Sequence, residues 1–172
     1  MEESVKILLL EDNLNDVELI HRQIVKSNIS FEWLHISELD AFTKALSTFK
    51  PDIILSDYHL NGFTGMDALQ VVRQSFPLIP FIIVTGTLDE ETAVNTIRKG
   101  AWDYIVKERL LRLGTAIKNA LQLKEEKETN AIIREKLQIS KERFRLSVEV
   151  SNDGIWDFNL NTNEAYYSTR WK

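Results

Sequence analysis

Five polar residues of this chain directly follow short apolar runs, and their types suit phosphoryl-transfer chemistry. They comprise three carboxylates, a hydroxyl and an ammonium: Glu11, Asp12, Asp57, Thr85 and Lys107. A carboxylate can act as the nucleophile in covalent phosphoryl transfer, which yields an aspartyl phosphate. Neighbouring carboxylates repel one another, and a hard divalent cation such as Mg²⁺ neutralises them. If the fold brings these residues together, the pattern predicts a metal-assisted phospho-acceptor site.

Each of the five residues has a predicted role in such a site. Asp57 is the candidate nucleophile because it stands alone after the central apolar run. Glu11 and Asp12 are candidate metal ligands. Lys107 would supply the counter-charge and Thr85 a hydrogen bond to the phosphoryl oxygens. Taken singly, these residues have plainer interpretations: Asp57 as a helix cap or surface carboxylate, Thr85 as a turn residue and Lys107 as a solvated side chain. The prediction therefore depends on their joint placement.

Alternating strands and helices are predicted to provide that placement. Apolar runs bounded by proline, glycine or polar loops predict strands over residues 5–10, 31–36, 53–56, 81–84 and 104–106. Helical periodicity predicts helices over residues 15–26, 38–49, 66–74 and 90–99, and a fifth from about residue 110. Asp89 is predicted to cap the fourth helix and Gly100 to end it.

This alternation predicts an α/β fold with a doubly wound, five-stranded parallel sheet. The flavodoxin-like strand order 2-1-3-4-5 is the common one for five strands. In that order the first, third, fourth and fifth strands are consecutive neighbours, and their carboxyl ends open into one crevice. The second strand is predicted to contribute nothing comparable to that crevice.

Composition narrows the classes of protein that the chain can represent. The net charge is −5 and the pI about 5.3, which argues against a nucleic-acid surface, because phosphate contacts need clustered Lys and Arg. The chain has no cysteine, which excludes disulfides, thiolate nucleophiles and cysteine-based zinc sites. The acidic N-terminus does not resemble a signal peptide, and the apolar runs fall short of the ~20 residues that a membrane span needs. We therefore predict a cytoplasmic protein without nucleic-acid or membrane contacts.

The ordered motifs resemble a response-regulator receiver domain of the CheY-like type over about residues 4–121. The matching words are ILLLEDN at 7–13, SDYHL at 56–60 with Gly62 and Gly65, VTGT at 84–87 and DYIVK at 103–107. Each word alone is weak, but all of them in this order and spacing are specific. The resemblance implies a phosphorelay module that is not itself an enzyme. Its Asp57 would accept a phosphoryl group from a histidine kinase or phosphotransfer protein.

The resemblance also implies how a metal ion is held. Mg²⁺ (or Mn²⁺) would be bound by Asp12, Asp57 and the backbone carbonyl of His59, with Glu11 acting through water. His59 and Thr87 flank the acceptor loop. We predict that these two residues tune the lifetime of the phosphoryl group by controlling the access of water.

A conformational switch is a further implication of the resemblance. The Thr85 hydroxyl would move toward the phosphoryl group while the Tyr104 ring turns inward, which would pass the signal toward the C-terminal region. Half-buried packing without a switching role is the plainer interpretation of a strand tyrosine such as Tyr104.

The chain departs from the family pattern at three places. Glu11 stands where Asp is commoner, and Leu60-Asn61 stands where many members have Met-Pro. Lys107 is followed by Glu108 instead of proline. A cis bond without proline costs ~2.5–4 kcal/mol, so we predict that the cis Lys-Pro bond of the family is absent. The loop into the fifth helix is therefore expected to differ from that of relatives.

The segment after about residue 115 has a different character. No glycine occurs between Gly114 and Gly154, and residues 124–130 are mostly charged. Apolar residues persist, but no single heptad register holds an apolar seam throughout. Two interpretations stay open, a solvated helical linker and a helix that dimerises the chain with a shift of register. We assign residues 4–121 to the receiver, 122–143 to the linker and 144–172 to a third segment.

The tail predicts a β-hairpin. Residues 154–160 alternate apolar and polar, residues 161–163 form a turn, and residues 164–168 follow as a second strand. The words NDGIWD at 152–157 and YYS at 166–168 resemble the opening of an α+β PAS domain. The order of receiver, helix and PAS occurs in multidomain sensor proteins, in which any catalytic output would lie beyond Lys172.

Three other functions were weighed on the same residues. A nucleotide or flavin binder is disfavoured because the first strand-to-helix turn, residues 11–16, is acidic and lacks glycine. A haloacid-type phosphatase would need a second carboxylate two residues after Asp57, where His59 stands. A phosphorylation-independent interaction scaffold is disfavoured by the complete set of acceptor, acids, hydroxyl and lysine. His21 and His35 are interpreted as structural or solvated.

Overall fold

A computed structural model describes residues 4–86, 90–151 and 156–167. The strands in these residues are β1 (Val5–Leu10), β2 (Phe31–Ile36), β3 (Ile53–Ser56), β4 (His59–Leu60), β5 (Phe63–Thr64), β6 (Phe81–Thr85), β7 (Asp103–Val106), β8 (Trp156–Asn159) and β9 (Glu164–Tyr167). The helices are α1 (Leu14–Lys26), α2 (Leu39–Thr48), α3 (Gly65–Ser75), α4 (Glu90–Arg98) and α5 (Leu113–Ser151), with a 3₁₀ helix at Lys107–Arg112. The chain separates into two compact units between Lys127 and Glu128.

The first unit contains a five-stranded parallel sheet in the order β2-β1-β3-β6-β7. Since β4 and β5 pair only with each other, this order is the predicted 2-1-3-4-5, and the doubly wound α/β prediction is confirmed. The register places Leu10 beside Ser56, and Ser56 beside Ile83. Thr85 likewise lies beside Val106. The carboxyl ends of the four strands therefore reach the same edge of the sheet.

Two hydrophobic clusters cover the two faces of the sheet. Alternate residues of a strand point to opposite faces, so a strand buried on both sides must be apolar almost throughout. In β1, Ile7 and Leu9 pack with residues of α1 and α5, whereas Leu8 and Leu10 pack with residues of α2 and α3. All four side chains are fully buried. The helices on both faces thus hold β1 in place, with its carboxyl end at the edge of the sheet where the predicted site lies.

Local hydrogen bonds set the ends of several helices. The Asn13 side chain caps α1, and Thr64 and Asp67 form a capping box at the start of α3. Gly100 follows α4 with φ of +106°, a conformation that favours glycine, which confirms its predicted role in ending that helix. The predicted cap of α4, Asp89, lies outside the described residues.

Two segments differ from the sequence-based expectation. The predicted loop after Asp57 contains the short hairpin of β4 and β5, which turns at Gly62 with φ of +84°. Strands of two residues are too short to give a periodic signal. The fifth helix begins as the 3₁₀ helix at Lys107 and becomes α-helical at Leu113. The Lys107–Glu108 bond is trans, as the absence of proline predicted.

The second unit contains the end of α5 and the hairpin of β8 and β9. Helix α5 is continuous over 39 residues, and the side chains of residues 129–147 are all exposed. Strands β8 and β9 are antiparallel with Trp156 beside Tyr167, which confirms the hairpin for the described part of the tail. Residues 154, 155 and 168 lie outside the described residues, and assignment to a PAS domain stays a prediction. Within the described ranges, no helix has the length and apolar character to cross a membrane.

Candidate functional site

Three carboxylates converge at the carboxyl ends of β1 and β3. Glu11, Asp12 and Asp57 each offer an oxygen, and these oxygens lie within 4.8 Å of one another. Glu11 is fully buried, Asp57 is 8% exposed and Asp12 is half-buried. The Asp57 N–H donates to the Leu10 carbonyl at 2.8 Å, which extends the pairing of β3 with β1 to Asp57. The structure thus brings together the three predicted acidic residues.

Lys107 provides the positive charge of this cluster. It follows β7 directly, and its side chain is 11% exposed. Its Nζ donates to Glu11 Oε2 at 2.8 Å and to Asp57 Oδ2 at 2.8 Å. A third carboxylate, Asp16 on the first turn of α1, accepts from the same Nζ at 2.7 Å. The ammonium is therefore enclosed by carboxylates from three different elements.

The protonation of Glu11 and Lys107 reflects this enclosure. Burial raises the pKa of the Glu11 carboxyl, and hydrogen bonds from Lys107 and the Asn13 N–H only partly oppose it. Burial would lower the pKa of the Lys107 ammonium, but hydrogen bonds to Asp16, Asp57 and Glu11 outweigh it and raise that pKa above its ordinary value. Lys107 is consequently a permanent cation at neutral pH.

The Asp57 carboxylate is held in one orientation. Its Oδ1 accepts from the Tyr58 N–H at 2.6 Å, while Oδ2 faces Lys107. The Ser56 hydroxyl donates to the Asp57 backbone carbonyl at 2.8 Å. A Cβ on Gly65 would lie 2.4 Å from that carbonyl, a separation that requires the backbone to shift. Gly65 therefore permits α3 to begin directly against the Asp57 backbone.

The loop after Asp57 borders an open cavity of about 470 Å³ that Asp57 also lines. His59 is exposed and lines this cavity together with Gly86. The Asn61 N–H donates to Asp12 Oδ2 at 3.0 Å, so the loop is tied to the acidic cluster. Thr87, the second residue predicted to tune the phosphoryl lifetime, lies outside the described residues.

The two predicted switch residues lie on adjacent strands. Thr85 ends β6 and is fully buried. Tyr104 on β7 is half-buried beside Ile83 and packs against the cluster formed with α2 and α3. Both residues lie near the site end of the sheet, and their coupled movement stays a prediction.

Two contacts of the site were missed from the sequence. The sequence indicates Asp16 only as the end of the acidic turn at residues 11–16, whereas in the structure it accepts from Lys107 Nζ at 2.7 Å. His35 near the end of β2 has its Nε2 2.7 Å from the Glu11 backbone oxygen, a specific contact that agrees with its interpretation as a structural residue. This contact is made to a backbone oxygen, so it does not contradict the expectation that the second strand adds no comparable chemical group to the crevice. The available signals were an acidic residue four positions after Asp12 and a histidine near the end of β2.

The donor set fits a hard divalent cation. Glu11, Asp12 and Asp57 offer only oxygen, the ligand type that Mg²⁺ prefers. Three carboxylates, from Glu11, Asp16 and Asp57, share the single Lys107 ammonium, and Asp12 adds a fourth carboxylate to the acidic cluster, so the pocket is left with negative charge to be neutralised. These residues could hold Mg²⁺ beside Asp57, a carboxylate of the kind that can also act as a nucleophile.

Comparisons with known proteins agree with this geometry. A family model described as "response regulator receiver domain" matches residues 7–118. The DNA-binding transcriptional regulator NtrC of Proteus hauseri is 38% identical over 64 residues, 37% of this chain and 14% of that protein. The luminescence regulatory protein LuxO of Vibrio campbellii is 40% identical over 81 residues, 44% of this chain and 18% of that protein. The chain spans less than a fifth of the length of these curated relatives.

A solved structure extends the similarity to the fold. The signal receiver domain of a LuxO repressor protein from Vibrio parahaemolyticus superposes with a TM-score of 0.65 and 26% identity. The superposition covers 74% of this chain and 97% of that one. Because the family model matches more than half of the chain and the fold and acidic edge agree with it, the chain belongs to the response regulator receiver domain family.

Proposed function

We propose that this chain is a phospho-acceptor module of a two-component phosphorelay. Asp57 takes a phosphoryl group from the phosphohistidine of a partner histidine kinase or phosphotransfer protein. The observation that carries the proposal is the Asp57 carboxylate itself, oriented by Tyr58 and Lys107 inside an acidic cluster at the sheet edge. Membership of the receiver family supports a regulatory role in which the domain accepts phosphate and is not an independent enzyme.

The transfer step requires little from the protein beyond position and charge. An Asp57 carboxylate oxygen forms a bond to phosphorus while the bond from phosphorus to the partner's imidazole nitrogen breaks. The imidazole leaves as a neutral ring when its other nitrogen carries a proton. The Lys107 ammonium and the Thr85 hydroxyl bind the phosphoryl oxygens, on which the negative charge is concentrated.

A metal ion completes the proposed site. Asp12, Asp57 and the backbone carbonyl of His59 would hold Mg²⁺ (or Mn²⁺), with Glu11 acting through water. When bound, the ion neutralises charge on the phosphoryl oxygens and on the carboxylates that surround them. The oxygen-only donor set and the excess of carboxylates over Lys107 support this assignment.

The proposed readout runs through Thr85 and Tyr104 into the C-terminal region. In this scheme residues 4–121 form the receiver, residues 122–143 a helical linker and residues 144–172 the first part of a PAS domain. The continuous α5 and the hairpin of β8 and β9 support the linker and the start of an α+β segment. Whether the linker dimerises the chain is tested by light scattering across concentrations, with a mass that stays monomeric counting against a dimer.

The phospho-acceptor proposal is tested by incubating the protein with Mg²⁺ and a small phosphodonor such as acetyl phosphate. Intact-mass spectrometry is expected to show a gain of about 80 Da, the mass of one phosphoryl group. The gain should be absent in Asp57→Asn and present in the matched control Asp40→Asn, which changes an exposed aspartate in the first turn of α2. A gain that survives Asp57→Asn would reject the acceptor assignment.

We also propose that His59 and Thr87 limit the access of water to the phosphoryl group. The position of His59 on the cavity beside Asp57 supports its part in this role. Dephosphorylation of the labelled protein is followed by loss of the added mass in the wild type and in the double variant with alanine at both positions. Equal rates for the two proteins would remove the hypothesis.

A further inference from the structure

Asp16 is a charged residue of the site to which the proposed chemistry gives no role. It lies in the first turn of α1, its side chain is 25% exposed, and it lines the cavity beside Asp57. Its Oδ2 lies 2.7 Å from Lys107 Nζ, as close as either of the other carboxylates on that ammonium. It is not one of the three residues whose oxygens cluster as candidate metal ligands.

The donors of Lys107 can be counted. An ammonium has three N–H groups and no acceptor, and three carboxylates lie within 2.8 Å of Nζ. Glu11 and Asp16 therefore occupy two donors, and the third is directed to Asp57 Oδ2. A lysine side chain is otherwise a flexible stem that ends in a freely rotating charge. Two fixed acceptors leave the third N–H only one direction in which to point.

Both of these acceptors are held by their own surroundings. Glu11 is fully buried, and its Oε1 accepts from the Asn13 N–H at 3.1 Å while Oε2 faces Lys107. Asp16 stands on a capped helix, where the positive end of the helix dipole stabilises a carboxylate. The cap itself is provided by the Asn13 side chain and not by Asp16. The contact from Asp16 to Lys107 is thus not needed to start the helix.

We infer that Asp16 is a positioning residue for Lys107. Together with Glu11 it holds two of the three ammonium donors, so that the third N–H points at Asp57 before transfer and at a phosphoryl oxygen afterwards. This inference rests on the proposed phospho-acceptor function and adds a residue to it. Preorganised donors stabilise developing charge more effectively than mobile ones, because they need no reorientation during the reaction.

The test compares Asp16→Ala, Asp16→Asn and the control Glu18→Gln, an exposed acid on the same helix. The rate of phosphorylation by acetyl phosphate is measured at Mg²⁺ saturation, which calorimetric titration establishes for each variant. Removal of one hydrogen-bond donor that stabilises the transition state commonly slows a reaction by about 10²–10³-fold. Because Asp16→Ala removes only the orientation of the Lys107 donor, its phosphorylation is expected to be slower by about tenfold. Asp16→Asn keeps an acceptor oxygen and should slow the reaction by less than about threefold. Glu18→Gln should match the wild type.

A double-variant cycle shows whether Asp16 acts through Lys107. In a Lys107→Ala background, Asp16→Ala is expected to change the rate no further, since there is no ammonium left to position. The inference is overturned if Asp16→Ala is as fast as the wild type, if Asp16→Asn is as slow as Asp16→Ala, or if Asp16→Ala slows both backgrounds equally. A merely structural ion pair would lower the unfolding midpoint of both Asp16 variants without this pattern of rates.

The outcome is separable from that of the proposed function. A wild-type chain that takes no phosphoryl group would contradict the phospho-acceptor proposal. A wild-type chain that is labelled at Asp57, with Asp16→Ala labelled equally fast, would contradict only the role of Asp16.

Discussion

The receiver unit and the segment after Lys127 use similar residue types with opposite degrees of burial. In the receiver, strand residues such as Phe81 and Ile83 are completely buried. In the second unit, Phe144 is 61% exposed and Trp156 is 60% exposed. The receiver therefore has its own hydrophobic core. The described part of the second unit leaves its large apolar side chains in contact with solvent.

The charged residues show the same contrast. Lys107 and its three carboxylate partners have side chains that are at most 25% exposed. The pair of Glu142 and Arg145 on α5 is at least half exposed on both sides. Exposed pairs contribute little, because water and salt screen them, whereas a buried charge left alone is costly. The difference indicates that charge in the receiver is arranged for a site, and charge on α5 for a solvated surface.

The largest expected effect comes from the same substitution made in each unit. Phe81→Ala removes a fully buried ring and should lower the free energy of unfolding by about 3–5 kcal/mol. Phe144→Ala removes an exposed ring and should change it by less than about 0.5 kcal/mol. Denaturant unfolding measures both. A comparable loss for Phe144→Ala would mean that this face of α5 is covered in solution, and the contrast would fail.

A glycine pair sharpens the comparison within the receiver. Gly65→Ala places a Cβ 2.4 Å from the Asp57 carbonyl and 2.9 Å from Ile83, so we expect a loss of about 1–3 kcal/mol and slower phosphorylation. Gly86→Ala has no heavy atom within 4 Å of the added Cβ and is the matched control for stability. Unfolding curves check both variants, and the phosphorylation rate is compared between Gly65→Ala and the wild type. Equal stability of the two would show that the backbone at Asp57 is not closely packed.

The smallest expected effect concerns two exposed acids. Hydrogen bonds from the Thr64 hydroxyl and N–H lower the pKa of the Asp67 carboxyl. The ionised carboxylate therefore stabilises the folded state at pH values above its ordinary pKa of 3.8, and this stabilisation is lost as the pH falls. Asp67→Asn should cost about 0.5–1 kcal/mol at neutral pH, with a deficit that shrinks at acidic pH. Glu142→Gln on α5 should leave the unfolding midpoint unchanged, although Arg145 lowers the pKa of Glu142. A deficit for Asp67→Asn that is constant with pH would contradict the capping role.

The sequence was sufficient to predict the sheet and the strand ends. The runs at β1 and β3 have the predicted bounds because strands buried on both faces are apolar nearly without interruption. The edge strand β2 also has the predicted bounds, although it is only partly buried and its run is less apolar. The strand order followed from the common topology of such sheets, and the convergence of the acidic residues followed from that order. These features depend on local pattern and on general rules of connection.

The contacts that the sequence did not reveal depend on how elements pack in three dimensions. Asp16 reaches Lys107 because α1 lies against the 3₁₀ helix that begins at Lys107, and His35 reaches Glu11 because β2 lies beside β1 in register. No periodicity encodes either contact. The hairpin of β4 and β5 was missed because its strands have two residues each.

The most direct test of the central claim is to locate the phosphoryl group on the chain. Protein labelled by acetyl phosphate is reduced with borohydride, which converts an aspartyl phosphate to homoserine, and its peptides are sequenced by mass spectrometry. We expect homoserine at position 57 and unmodified Glu11, Asp12 and Asp16, because only Asp57 is presented to the cavity by both Tyr58 and Lys107. Homoserine at another position, or none in labelled protein, would contradict the account.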